Sequence, residues 1–256
     1  MRIDQNLIVF VTGGASGLGE AAVLKLHSMG AKLAVVDINE DVLKALETKL
    51  KERIICMKCD VTKEEEVKAA IDKTVAKYGT IHVVLPSAGV ALVTQTLSKK
   101  GPLDMSVFDT VLKVNLYGSV HVAKYAAVVM ANNKPMNDKG ERGLILFVSS
   151  SLAHQGTKGM AAYAASKGAV SGIVLPMARD LGRYGIRVNA IEPGNFETSM
   201  TRANKMYVEK YMLMATPMGR AGQPDEFAHI VTTLIENSYL NGMLMAIDGA
   251  QISPNI

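Results

Sequence analysis

Tyr163 and Lys167 stand in a Tyr-x-x-x-Lys spacing at the start of a helical pattern. Residues four apart share one helix face, so a phenol and an ammonium lie side by side there. A free phenol titrates near ~10, too high for an efficient base at neutral pH. A neighbouring ammonium favours phenolate, so the pair is expected to be a proton donor and acceptor whose phenol is lowered toward neutrality. Tyr and Lys at this spacing are common by chance, and the pair gains its weight from its surroundings. Ser150 lies upstream at the end of a buried strand, and ligands of open α/β sheets bind at the carboxyl ends of strands. A hydroxyl there holds a carbonyl oxygen beside Tyr163. Ser149 and Ser151 flank it, so the choice among the three rests on spacing. Asn115 sits inside an otherwise apolar helical stretch, where a buried amide needs partners. It is either structural or holds a water that relays protons to Lys167.

His154 lies near the same strand end in a polar loop, which assigns it to the surface or a substrate rim rather than to the chemistry. His27, His82, His121 and His229 lack partner spacing and carry no assigned chemistry. Cys56 and Cys59 form a Cys-x-x-Cys. The run around them reads as a strand, on which residues three apart face opposite sides, and no second pair completes a zinc site. No metal is expected.

A second group of residues suits a phosphate. The first strand runs into Thr12-Gly13-Gly14-Ala15-Ser16-Gly17-Leu18-Gly19, which opens a helix. Glycines let the backbone turn sharply and approach a pyrophosphate, and the helix N-terminus offers free N–H groups to the anion. Asp37 ends the second strand. A carboxylate there accepts both hydroxyls of an adenosine ribose and repels a 2′-phosphate. No Lys or Arg lies in the glycine turn or directly after Asp37. NAD is therefore the expected cofactor rather than NADP. As an alternative, Asp37 caps the next helix, a role that Asn39 is also able to fill.

These residues need a scaffold, and the pattern supplies one. Strands are expected at Leu7–Thr12, Lys32–Asp37, Ile54–Cys59, His82–Leu85, Leu144–Ser149, Arg187–Ile191 and Met243–Ile247. Helices are expected at Gly17–Met29, Glu40–Lys51, 63–78, 106–131, 161–184 and 224–236. Runs such as LIVFV and LILFV are continuously apolar, as in strands covered on both faces. Strict alternation of such strands with helices implies an α/β, doubly wound parallel sheet with helices on both faces, built from residues 1–256 as one domain. The Lys134–Gly143 stretch reads as a loop.

Composition is consistent with that scaffold. Of 256 residues, 48% are apolar and 20% charged, which excludes a disordered chain. No apolar run reaches the roughly 18 residues of a membrane span. The net charge of +4 comes from dispersed basic residues, so no nucleic-acid footprint is expected. Two cysteines make no disulfide framework, which points to an intracellular protein. No secretory signal and no cleaved organelle presequence are expected, with an uncleaved address inside the first strand and helix as the alternative. The helices around 106–131 and 161–184 are more apolar than one buried face requires, which predicts a homo-oligomer. Met206, Met212, Met214 and Met218 are expected to form a pliable substrate lid or, alternatively, ordinary core.

Together, Thr12-Gly-x-x-x-Gly-x-Gly19, Asp60-Val61, Asn115, Ser150, Tyr163-x-x-x-Lys167 and Pro193-Gly194 resemble the motif set of the short-chain dehydrogenase/reductase family, in order and over nearly the whole chain. The resemblance implies a Rossmann-type fold and interconversion of a secondary alcohol and a ketone. Asn115, Ser150, Tyr163 and Lys167 would be catalytic. Gly13, Ser16, Gly17, Leu18, Gly19, Asp37, Asp60, Val61, Ala88, Gly89, Pro193, Gly194, Phe196 and Thr198 would line the cofactor site together with Tyr163 and Lys167. Within that set, Asp60 would contact the adenine, Thr198 the nicotinamide amide and Lys167 the nicotinamide ribose. Narrower segments (Thr94–Gly101, Pro135–Gly143, Leu175–Leu181, Pro193–Thr198 and Ile235–Ala250) resemble the type 2 3-hydroxyacyl-CoA dehydrogenase subfamily, also called 17β-hydroxysteroid dehydrogenase type 10. That subfamily is mitochondrial, NAD-dependent and usually homotetrameric. It implies an acyl-CoA or another hydrophobic alcohol or ketone as substrate and the mitochondrial matrix as location, with the cytoplasm as the alternative.

Two positions depart from the family pattern. The family's Asn-Asn-Ala-Gly or Asn-Cys-Ala-Gly reads Pro86-Ser87-Ala88-Gly89, and proline donates no backbone hydrogen bond. Glu192 replaces a small or neutral residue before Pro193 and is expected near the nicotinamide. These two positions support the rival expectation, a nucleotide-binding structural subunit of a larger assembly.

Overall fold

Strands Ile8–Thr12 (β1) and Gly143–Val148 (β7) are buried at every position, because helices cover the sheet on both sides. A computed structural model of the chain describes residues 1–99, 101–198 and 216–252. The remaining strands are β2 (Lys32–Asp37), β3 (Ile54–Lys58), β4 (Val83–Pro86), β5 (Leu97–Ser98), β6 (Gly101–Pro102), β8 (Ile186–Pro193) and β9 (Leu244–Ile247). Seven of these nine strands, β1 and β7 included, form one parallel sheet in the order β3-β2-β1-β4-β7-β8-β9, so the expected doubly wound architecture is present. The winding reverses between β1 and β4. A crevice therefore opens beyond the carboxyl ends of those two strands.

Two cores flank the sheet. One side packs α1 (Gly17–Ser28), α2 (Glu40–Leu50) and α8 (Pro224–Glu236) through residues such as Leu26, Leu43 and Phe227. The other packs α3 (Glu64–Tyr78), α5 (Gly118–Ala131) and α7 (Ala161–Gly182) through Ile71, Val122 and Val174. Cys56 packs against the first core and Cys59 lies in the second, as strand periodicity requires. Burial pushes the Cys56 thiol up to about 12 and that of Cys59 up to about 11, so neither supplies a thiolate at neutral pH.

The structure adds features that periodicity did not show. The stretch read as one helix near 106–131 is α4 (Met105–Leu112), a π-helical turn (Lys113–Tyr117) and then α5. The antiparallel β5–β6 pair begins in the Thr94–Gly101 insert and ends at Pro102, and a four-residue helix, α6 (Leu152–Gln155), follows Ser151. Strand β8 runs two residues past the expected Ile191, which brings Glu192 and Pro193 into the sheet. Of the proposed lid, Met206, Met212 and Met214 lie outside the described residues, and Met218 is exposed.

Candidate active site

The end of β7 and the start of α7 meet over the sheet. Lys167 projects from α7 and is 6% exposed. Its Nζ donates to the Val148 carbonyl at 2.8 Å and lies 5.8 Å from the centre of the Tyr163 ring. A side-chain hydrogen bond joins Tyr163 to Ser150. The other two serines are engaged elsewhere. The Ser149 hydroxyl is turned to the Lys167 carbonyl (2.9 Å) and to Ser171 (2.8 Å), and the Ser151 amide donates to the Pro193 carbonyl (3.0 Å).

The expected lowering of the Tyr163 phenol is overturned. Burial pushes it above its ordinary value, and the hydrogen bond from Ser150 offsets only part of that. The ammonium that was to lower it is committed to Val148, and burial brings Lys167 itself down to about 8.

Asn115 is fully buried in the π-turn. Its Nδ2 donates to the Val90 carbonyl (3.0 Å) and to Ser166 Oγ (3.0 Å), and its Oδ1 accepts from the Val90 amide (2.8 Å). The amide thus ties the segment after β4 to α7. A π-turn widens the helix at that residue and recurs at functional sites. A Cβ added to Gly89 would lie 3.3 Å from Asn115 Oδ1 and 3.7 Å from Lys167 Nζ, so the segment after β4 passes directly beside both groups.

The glycine turn closes against the same strand end. Gly13 has φ +60°, and an added Cβ would lie 2.8 Å from the Ala88 backbone. An added Cβ on Gly19 would run into the Gly13 carbonyl, so the turn is packed backbone on backbone. The Ser16 side chain does not cap α1, which leaves its first-turn amides for an anion. Gly17, at φ +55°, faces Thr198 across the strand ends, with its added Cβ 3.7 Å away. This cradle fits a pyrophosphate.

Pro86 does not break β4. It pairs with Thr12, whose carbonyl accepts from the Ser87 amide (3.2 Å) and whose Oγ1 accepts from the Ala88 amide (3.2 Å). Thr12 Oγ1 is a tie that the sequence pattern does not announce.

Asn39 caps α2, with its side chain accepting from Asp41 and Val42, so Asp37 is not that cap. Asp37 Oδ1 accepts from the Asn39 amide (3.1 Å). Strand register places Lys58 opposite Asp37, a basic neighbour invisible in linear sequence, but its Nζ is turned to Glu40 (3.4 Å). Asp60 Oδ1 accepts from the amide and hydroxyl of Thr62 (3.0 and 2.7 Å), and Val61 is buried against α5. Gly194 packs against Asp248 and Gln251, and Gln251 Oε1 accepts from the Asn195 amide (2.9 Å).

Two expected cofactor residues also pack on the first core. The Phe196 ring packs edge-on against Phe227 at 6.3 Å in the first core, and Leu18 packs on the same core. Glu192, expected at the nicotinamide, instead directs Oε1 to Ser171 Oγ (2.6 Å) and His154 Nε2 (3.0 Å). His154 lies at the surface, with a side chain 58% exposed. Among the described residues no group of three or more His, Cys, Asp or Glu is placed to hold a metal, and no helix is long and apolar enough to cross a membrane.

A doubly wound sheet, a glycine cradle at its switch point and a Ser–Tyr–Lys cluster at the next strand ends define a class. The chain belongs to the short-chain dehydrogenase/reductase family, oxidoreductases that use a nicotinamide cofactor. A family profile described as Enoyl-(Acyl carrier protein) reductase matches residues 13–250. The chain is 38% identical over 252 residues to 3-hydroxyacyl-CoA dehydrogenase type-2 of Homo sapiens, covering 97% of this chain and 96% of that protein. It is 36% identical over 249 residues to the protein of that name in Drosophila melanogaster, covering 96% and 97%. Among solved structures, 3-hydroxyacyl-CoA dehydrogenase type-2 from Mycobacterium avium superposes with a TM-score of 0.93 at 33% identity, with both chains covered fully.

Proposed function

We propose that residues 1–256 act as one NAD-dependent dehydrogenase domain that interconverts 3-hydroxyacyl-CoA and 3-oxoacyl-CoA, with hydroxysteroids as further substrates. The observation that carries the chemistry is the Ser150–Tyr163 hydrogen bond beside buried Lys167, next to the glycine cradle. The acyl-CoA assignment rests on the similarity to dehydrogenases of that name. In reduction, Tyr163 gives its phenolic proton to the substrate oxygen while Ser150 donates a hydrogen bond to the same oxygen; in oxidation, Tyr163 takes the alcohol proton. Lys167 orients the phenol and binds the nicotinamide ribose, and Asn115 holds the β4 end against α7. The bound cofactor supplies or accepts the hydride. Asp37 selects NAD, with Asp60, Val61, Ala88, Gly89 and the Pro193–Thr198 loop completing the site. The enzyme assembles as a homotetramer in the mitochondrial matrix.

The test is Tyr163→Phe, assayed with 3-oxoacyl-CoA and NADH. General acid–base catalysis contributes roughly 10²–10⁴-fold, and a loss of that size in kcat is expected with NADH binding retained. Near-wild-type turnover in the variant would remove Tyr163 from its role. A wild-type protein that binds NAD yet turns over no acyl-CoA, steroid or other alcohol would sink the assignment as an enzyme of this class.

A further inference from the structure

Strand β8 is buried along its whole length, yet it carries Glu192, which is 5% exposed between Ile191 and Pro193. An ionisable group in such a place needs hydrogen-bond partners. It receives them from two helices: Ser171 of α7 at 2.6 Å and His154 of α6 at 3.0 Å. Ser171 and Ser149 are themselves buried, 2.8 Å apart, and Ser149 reaches the Lys167 carbonyl at 2.9 Å. A chain of contacts therefore runs from His154 through Glu192, Ser171 and Ser149 to the backbone of Lys167. The proposed mechanism uses none of its first four members.

We infer that Glu192 is a positioning residue, which by holding the Ser171 hydroxyl leaves the Lys167 carbonyl to Ser149 and so locks α7 onto the end of β7. The inference rests on the proposed roles of Ser150, Tyr163 and Lys167. Ser171 lies four residues after Lys167, and a serine inside a helix commonly bonds back to the carbonyl four residues earlier. That carbonyl is Lys167's own. Each hydroxyl has one proton to give. Glu192 takes the proton of Ser171 away from the helix, and the proton of Ser149, the residue after β7, is then shared between the Lys167 carbonyl and Ser171 Oγ. Lys167 is thereby tied to consecutive residues at the end of β7, through Nζ to Val148 and through its carbonyl to Ser149. The next residue, Ser150, bonds Tyr163. His154 closes the outer side of the carboxylate, so Glu192 faces protein donors on both helices.

Loosening this tie misaligns groups that must meet one oxygen atom, and a misplacement near 1 Å costs roughly 10²-fold. Glu192→Ala is expected to lower kcat about ten- to a hundredfold with KM for both substrates little changed. Glu192→Gln keeps an oxygen acceptor for Ser171 and is expected to restore most of kcat. Ser149→Ala cuts the same tie one step on, so the double variant Ser149→Ala/Glu192→Ala should be no slower than the worse single variant. Additive losses in kcat, a Gln variant as slow as Ala, or an Ala variant that melts earlier but keeps its kcat would each overturn the positioning role. A wild-type enzyme that turns over no alcohol or ketone would overturn the proposed function and this inference together; an active wild type with an unaffected Glu192→Ala variant would overturn the inference alone.

Discussion

Lys167 carries a cost that its chemistry explains. A lysine that titrates at about 8 has lost solvation it would keep in the unfolded chain, where it titrates near 10.5. Between those two values the unfolded chain binds more protons, so the contribution of this group to stability rises with pH across that window. Lys167→Met removes the buried charge. At pH 7 the variant is expected to be inactive but to melt higher than wild type, with its advantage shrinking as pH climbs from about 8 toward 10.5. Calorimetry across that range checks both signs, and a lower melting temperature at pH 7 would show that the Val148 contact outweighs the burial penalty. Tyr163 and Lys167 were legible as a pair because helical spacing alone puts them on one face. Their titration was not, because it depends on burial and on the Val148 carbonyl, which is distant in sequence.

At the scale of elements, β1, the glycine turn and α1 make the cradle, and the proposed preference for NAD rests on residues of β2 and β3. Asp37 ends β2 free of the α2 cap, and the facing Lys58 is engaged by Glu40. Dissociation constants are therefore expected to be lower for NADH than for NADPH, and Asp37→Ser should narrow the difference. Tighter NADPH binding by the wild type would show that Lys58 leaves Glu40 for a 2′-phosphate. The strand-turn-helix unit was readable because apolar runs and glycines are local signals. The π-turn at Lys113–Tyr117 was not, since the sequence there continues an ordinary helical pattern and the extra residue is accommodated by Asn115 bonding Val90 and Ser166.

Across the whole molecule, the end of the sheet away from the site is held by a buried ion pair. Arg187 Nε donates to Glu141 Oε1 at 2.6 Å, and its Nη atoms donate to the carbonyls of Leu234, Ile235 and Leu240. Burial alone would raise the Glu141 carboxyl, but the Met1 amine and Arg187 outweigh it and hold the carboxyl below its ordinary 4.5. Its stabilising contribution is therefore present above that value and is lost as pH falls below it. Arg187→Ala strands the carboxylate and is expected to cost roughly 3–5 kcal/mol of stability. Because Arg187 sits at the far end of β8 from Pro193, about 20 Å away at strand rise, kcat at low temperature should be unchanged. Denaturant unfolding and a parallel turnover assay separate the two effects, and a loss of kcat without loss of stability would contradict the account. The outer helix faces leave Tyr117, Val128 and Leu175 exposed. Light scattering is expected to report a tetramer, and a monomer at micromolar concentration would remove that proposal.

The alternation of apolar strands and helices, the glycine turn, Asp37, and the Tyr163–Lys167 spacing were all readable in the chain itself. Each rests on periodicity or backbone geometry within a few residues, and such local signals survive without knowledge of the fold. Strand order decided the rest. It brought Lys58 beside Asp37, Ser171 and His154 onto Glu192, Val148 onto Lys167, and Arg187 onto Glu141. It packed the Phe196 ring on Phe227 and raised the Tyr163 phenol rather than lowering it. Burial and hydrogen-bond partners are properties of the packed sheet, and residues far apart in sequence acquire them only when parallel strands and their covering helices have come together.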